Sequence, residues 1–92
     1  MYIEDLQWDD NNVEHIALHS VTPAEVEQVC YGRHLASKDG ESENRYILGG
    51  KTEDSGRYLI VVIERLYKAV YKPITAFEMS VNCKKSYKKK LG

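Results

Sequence analysis

The sequence predicts an α+β domain: two N-terminal helices, an antiparallel meander of three to four strands, and a C-terminal helix. Three observations carry this prediction. Two apolar stripes of helical period, each preceded by capping residues, occupy the first third of the chain. Strand-forming runs separated by polar turns that contain glycine fill the middle. Past residue 76 the helical period returns in a lysine-rich setting. A chain of 92 residues is read as one domain with one core.

Leu6-Gln7-Trp8 leads into Asp9-Asp10-Asn11-Asn12. Asp and Asn cap helices by accepting a bond from a free backbone N–H. Val13, Ile16 and Ala17 then recur at i, i+3, i+4, a short amphipathic helix that ends near His19-Ser20. The next start is sharper. Thr22-Pro23-Ala24-Glu25 is a capping box with proline at the first helical position. Val21 and Val26 have the spacing of a hydrophobic staple, Val26, Val29 and Cys30 make the stripe, and Gly32 is the stop. Helices this short do not persist alone and need a sheet to pack on.

Residues 33–38 are read as a short strand, 38–44 as a turn, and Arg45 to Gly49 as the next strand. Residues 51–56 form another turn. Gly49-Gly50-Lys51-Thr52 lacks the upstream glycine of a phosphate loop and is not one. Arg57 to Glu64 is apolar throughout its middle, which predicts a central strand. A reversal near Leu66-Tyr67 leads to a last strand, Lys68 to Ile74, with Pro73 expected at a strand end or sheet edge because it cannot donate to a ladder. Thr75 and Glu78 have capping-box spacing, so the closing helix is expected from Ala76. Its stripe is Ala76, Met79, Cys83, Tyr87 and Leu91, flanked by Lys84, Lys85, Lys88, Lys89 and Lys90.

Net charge is −1, but it hides a split. Residues 1–43 carry ten acidic and two basic side chains, and residues 44–92 carry eleven basic and four acidic. Such asymmetry points to a basic surface for an anionic partner, or to two halves that attract each other across the fold. Nothing at the N-terminus has the pattern of a signal peptide, and no apolar run approaches the ~20 residues that span a bilayer. A cytoplasmic protein, with Cys30 and Cys83 as reduced, buried thiols and no membrane partner, is expected.

Several fragments occur in a telling order: Trp8-Asp9, Asn12…His15-Ile16…His19, Val21, Glu25-Val26…Val29, Arg45-Tyr46, Gly56-Arg57, and Pro73-Ile74-Thr75-Ala76. Together they resemble the BrnT family of toxins from bacterial type II toxin–antitoxin systems, and the resemblance covers nearly the whole chain. It implies a RelE-like fold and a ribonuclease that stops translation. It also implies neutralisation by a co-encoded DNA-binding antitoxin, met near the closing helix and sheet. The family usually carries an arginine after Ile-Ser/Thr-Ala, where this sequence has Phe77. An acidic residue of the closing helix is replaced near Cys83, and the aromatic Tyr87 matches. A homologue with impaired catalysis, acting as an RNA- or antitoxin-binding module, is therefore the alternative.

Metal-free RNA cleavage needs a base for the 2′-hydroxyl proton, cations for the charged phosphorane, and an acid for the leaving oxygen. His19 is the candidate base or acid; its other reading is a cap on the end of its own helix. Arg57, matching the Gly-Arg fragment, is the candidate clamp, against a surface arginine paired to Glu53 or Asp54. Tyr87 is the third catalytic candidate, against core packing. Arg45, Tyr46, Lys84, Lys85 and Lys88 are the candidate RNA contacts: the cations for the backbone, the tyrosine for stacking. His15 and His19 share a helical face, but no third metal ligand follows from spacing and His34 is only a possibility, so no metal or other cofactor is expected. The partners expected are RNA and the antitoxin, with a homodimer through an open sheet edge as a further option.

Overall fold

The computed structural model describes residues 1–91. Its elements are β1 (Asp5–Leu6), α1 (Asp10–Ala17), α2 (Pro23–Tyr31), β2 (His34–Lys38), β3 (Arg45–Lys51), β4 (Tyr58–Tyr67), β5 (Val70–Glu78) and α3 (Val81–Leu91). The α+β class holds, and β2 to β5 form the antiparallel meander with four strands. The sheet has a fifth strand that the sequence did not announce. Its order is β1-β5-β4-β3-β2, with β1 parallel to β5. Two residues are too few to show an alternating pattern, so β1 leaves no periodic signal. The apolar β4 is central, as its composition requires.

Both N-terminal helices start where their capping residues stand. Asp9 accepts from the Asn12 N–H at 2.8 Å, and Asn12 Oδ1 accepts from the Asp9 N–H at 2.9 Å. Asn12 also donates from Nδ2 to the Gln7 carbonyl at 3.0 Å. That bond satisfies a buried amide, and it explains why Asn12 and Ile16, rather than Val13 and Ala17, are the buried residues of α1. In α2 the Thr22–Glu25 box forms, Pro23 opens the helix, and Val26, Val29 and Cys30 are buried as expected. One face of the sheet receives these helices, α1 over β5 and α2 over β3. Ile16, Val21, Val26 and Val29 meet Leu48, Leu59, Val61, Ile63 and Ala76 there in a single core.

The largest correction concerns the chain after Pro73. The last strand runs on to Glu78, and α3 begins only at Val81. Thr75 is not an N-cap: Thr75, Ala76, Phe77 and Glu78 pair with Val62, Val61, Ile60 and Leu59. A continuous ladder plus burial of Ala76 against Val61 outweighs one local capping box. Ser80 performs the capping instead, accepting from the Cys83 N–H at 3.2 Å. Pro73 is not at a strand end but does lie on the sheet edge, the other place expected for it. It lies inside β5, at a bulge where pairing passes from Val62–Thr75 to Ile63–Pro73 and leaves Ile74 over. On its other side β1 reaches only Val70 and Tyr71, so no partner there needs the missing donor.

The opposite face of the sheet is covered more thinly. Met79, Cys83 and Tyr87 from the α3 side and Leu35, Ile47, Gly49 and Ile60 from the strands line a groove of about 370 Å³. Ala76, expected on the same stripe as Met79 and Cys83, belongs to the helix-packed core instead. The side chain of Leu91, expected to continue that stripe, lies outside what the structure describes. Cys30 is buried on the sheet-facing side of α2, Cys83 is half-buried on the other face, and both are free thiols. Burial pushes the Cys30 thiol up to about 12, with Glu27 adding to the effect, so it stays protonated and unreactive.

Candidate functional site

The β3–β4 turn builds the centre of the site. Thr52 is completely buried there. Its N–H donates to the Arg57 carbonyl at 2.8 Å, and its Oγ1 accepts from the Arg57 N–H at 2.9 Å. Gly56, with φ of 68°, closes the loop in the left-handed region that glycine tolerates. From α2, Gln28 Oε1 accepts from the N–H groups of Glu53 and Asp54, and Gln28 Nε2 donates to Asp54. The turn is thus held from inside and outside, and it delivers Arg57 at the start of β4.

Arg57 is the hub of this corner. Its Nη1 donates to Glu25 Oε2 at 2.8 Å and to the Ser20 carbonyl at 2.9 Å, and its Nε donates to Glu78 Oε1 at 3.0 Å. Ser20 adopts φ of 59°, an uncommon conformation for a residue with a Cβ. That bend ends α1 and turns its carbonyl onto the guanidinium. The ends of α1, α2, β4 and β5 therefore meet on one arginine. Its Nη2 makes no hydrogen bond among the described residues, which leaves a donor for an incoming anion.

Two further side chains complete the corner. His19, exposed at the end of α1, has its ring 6.1 Å from that of Phe77. Glu78, next in the chain, holds Arg57 with a carboxylate side chain that is 64% exposed. An imidazole, an arginine and an accessible carboxylate are thus gathered at one end of the sheet. These are the residue types that phosphodiester transfer without metal uses as acid, clamp and base.

Beside this corner lies a basic cluster. Tyr58 sits edge-on to Tyr87, with centroids 5.6 Å apart. Three ammonium groups gather at the Tyr58 ring: Lys84 at 4.9 Å, Lys88 at 5.2 Å and Lys51 at 5.7 Å from its centroid. A shallow cleft lined by Arg57, Glu78, Tyr58 and Lys84 joins the two regions. No protein-family model, no characterised protein and no solved structure matches this chain. The site is therefore read from its own geometry.

That geometry sorts the sequence candidates. His19 precedes Ser20, whose carbonyl binds Arg57, and Lys84 and Lys88 converge at Tyr58. Lys85, although exposed on α3, is not at Tyr58. Tyr87 is buried at 9% exposure on the sheet side of α3, where it packs against Tyr58 and burial raises its phenol pKa. Arg45 and Tyr46 do not join the site. They open β3 while Lys51 closes it, and six strand steps place them ~20 Å away. There Arg45 pairs with Glu64 at 3.3 Å, and Tyr46 packs edge-on to Tyr71. Arg57 pairs with Glu25 and Glu78, not with Glu53 or Asp54, because Gln28 already occupies the loop's outer side. His15 and His19 rings lie 5.8 Å apart, and no third His, Cys, Asp or Glu joins them among the described residues. His34 is engaged elsewhere, with Nδ1 3.0 Å from the Val29 carbonyl.

Sequence reasoning missed Glu78, Lys51, Tyr58 and Thr52 as parts of the site. Glu78 carried a signal, a carboxylate beside the expected catalytic junction, but the helix reading assigned it to capping. The others gave none: Tyr58 follows Arg57 in the chain, but its contacts with Lys51, Tyr87 and the lysines of α3, and the burial of Thr52 in the turn, arise only in the fold.

Glu25 links the site to stability. Burial alone would raise its pKa, but the Thr22 N–H and the Arg57 guanidinium outweigh that and hold it below its ordinary 4.5. A folded-state pKa below the unfolded one means that stability is present above the unfolded value. It is lost as pH falls through the lowered folded value. Glu25→Gln is therefore expected to flatten the acid limb of the stability profile. Urea unfolding of both proteins between about pH 7 and pH 3 measures it. A variant with an unchanged acid limb would refute the assignment.

No helix among the described residues is long and apolar enough to cross a membrane.

Proposed function

We propose that this chain is a ribonuclease toxin of a type II toxin–antitoxin system, cleaving RNA without metal to inhibit translation. The observation that carries the reading is the Arg57–Glu78 pair at a solvent-facing corner, with Arg57 also bonded to the carbonyl of Ser20, the residue after His19, and with unpaired lysines beside it. In this reading Glu78 takes the proton from the 2′-hydroxyl. The 2′-oxygen attacks the adjacent phosphorus, and Arg57 Nη2 binds a phosphorane oxygen. His19 protonates the departing 5′-oxygen, leaving a 2′,3′-cyclic phosphate on one fragment and a 5′-hydroxyl on the other. Lys84 and Lys88 hold the strand by its phosphates. A co-encoded DNA-binding antitoxin is the expected protein partner, and the cytoplasm the expected location.

A second reading, RNA or antitoxin binding without turnover, is favoured by two features. Arg57 has both Nε and Nη1 committed to carboxylates or a carbonyl, and Phe77 occupies the place where the toxin family usually has an arginine. One experiment separates them. Purified protein is incubated with a panel of single-stranded RNAs in excess EDTA, and the products are examined for cyclic phosphate ends. Cleavage supports the first reading, and binding without cleavage supports the second. Neither binding nor cleavage removes the first reading and the RNA half of the second.

A further inference from the structure

The cluster around Tyr58 takes no part in the proposed cleavage step, and its charge is unbalanced. Lys51, Lys84 and Lys88 place their ammonium groups 5.7, 4.9 and 5.2 Å from the same ring centroid. None of the three forms an ion pair among the described residues, although the chain as a whole carries slightly more acid than base. Like charges gathered around one ring repel one another, and the ring's π-face offsets only part of that. Gln28, Arg33, Lys51, Glu53, Tyr58, Tyr87 and Lys88 line a cavity of about 430 Å³ at this place. With Lys84 beside it, the surroundings hold four cations and one carboxylate.

We infer that this cavity binds a multiply charged phosphoryl group. An internal phosphodiester brings one negative charge, whereas a terminal phosphomonoester brings about −1.5 to −2 at neutral pH and three acceptor oxygens. Only the second kind of group matches so many unpaired donors. Lysine suits it, because an ammonium binds phosphate as a point charge from any direction and needs no planar fork. Two sources share this chemistry: the phosphorylated 5′ end of an RNA strand, and a free nucleoside diphosphate. The first source rests on the RNA reading above; the phosphoryl site itself does not. If the source is RNA, the cleft that joins Lys84 to Arg57 places the phosphorylated end next to the corner of His19 and Glu78. The enzyme would then act near 5′ ends.

The test is calorimetric titration with ligands that cannot be cleaved. They are inorganic pyrophosphate, adenosine diphosphate, and a 2′-O-methyl RNA decamer with either a 5′-hydroxyl or a 5′-monophosphate. Wild-type protein is expected to bind pyrophosphate, and to bind the phosphorylated decamer about tenfold tighter than the hydroxyl form. Lys84→Gln/Lys88→Gln should abolish both effects. Lys89→Gln/Lys90→Gln, which removes the same charge from the same helix away from Tyr58, should keep them. All four lysines are exposed, so both variants should fold, and circular dichroism checks this. Pyrophosphate and diphosphate binding lost in the first variant, with no preference between the decamers, supports the site and assigns it to a free nucleotide. Equal binding of the two decamers with no pyrophosphate binding overturns the inference while leaving the RNA reading intact. An equal loss in both double variants also overturns it, because the effect would then be net charge alone.

Discussion

Glu78→Gln is expected to slow RNA cleavage by about 10²–10⁴-fold, the range that a positioned general base contributes. The substitution keeps the shape of the side chain, and the amide oxygen can still accept from Arg57 Nε. Proton uptake is what is lost. The fold should be nearly indifferent, because this carboxylate is 64% exposed and an exposed ion pair contributes at most about 1 kcal/mol. His19→Ala should give a loss of similar size by removing the acid, again without a change in thermal midpoint, since His19 is exposed. If both groups act in one step, the double variant should be little worse than either single one. Initial rates on a single-stranded RNA in EDTA, taken beside thermal unfolding, measure all of this. An unchanged rate in either single variant would remove that residue from the mechanism.

Gly50→Ala is expected to destabilise the protein by about 1–3 kcal/mol, and Gly49→Ala by less. The two glycines are adjacent in β3 and face opposite sides of the sheet. A Cβ on Gly50 would stand 2.8 Å from Val29 Cγ1 and 3.3 Å from the Arg33 carbonyl. It would force α2 off the sheet, and with α2 would go Gln28, Glu25 and the hold on Arg57. A Cβ on Gly49 would stand 3.1 Å from Met79 Cε, the flexible end of a side chain at a thinly covered face. Urea unfolding of both variants checks the order. A Gly49 variant as unstable as the Gly50 variant would mean that α3 is packed as tightly as α2, contrary to the groove beneath it. The Gly50 variant should also lose RNA cleavage, whereas the Gly49 variant should keep it.

The elements that were legible in the sequence are those built by neighbours. Thr22 and Glu25 bond each other's backbone across three residues, and Pro23 lacks only a donor that a helix start does not use. Asp9 with Asn12 is the same case. The apolar run Leu59–Ile63 identified the central strand because one of its faces is buried and the other half-buried, which leaves its mark in composition. His19 and Arg57 were found as residue types suited to phosphate chemistry. Their meeting was not, because it depends on the Ser20 bend and on the Thr52 turn. Arg45 and Tyr46 are the converse case: residue types suited to RNA that the fold places at the far end of the strand from Arg57.

The stretch from Thr75 to Glu78 separates the two kinds of information. By itself it carries a capping box of the same spacing as the one at Thr22, though without proline at the first helical position, and on local terms a helix should begin there. Tertiary structure decided otherwise. A local box offers two hydrogen bonds over four residues. The partner strand Leu59–Val62 offers a ladder, burial of Ala76, and a place for Glu78 against Arg57. Sequence alone determined the α+β class, the two front helices, the central strand and the basic second half. Long-range pairing determined where the last strand ends, that Phe77 and Glu78 stand in a sheet, and that the acid, base and cation candidates share one corner.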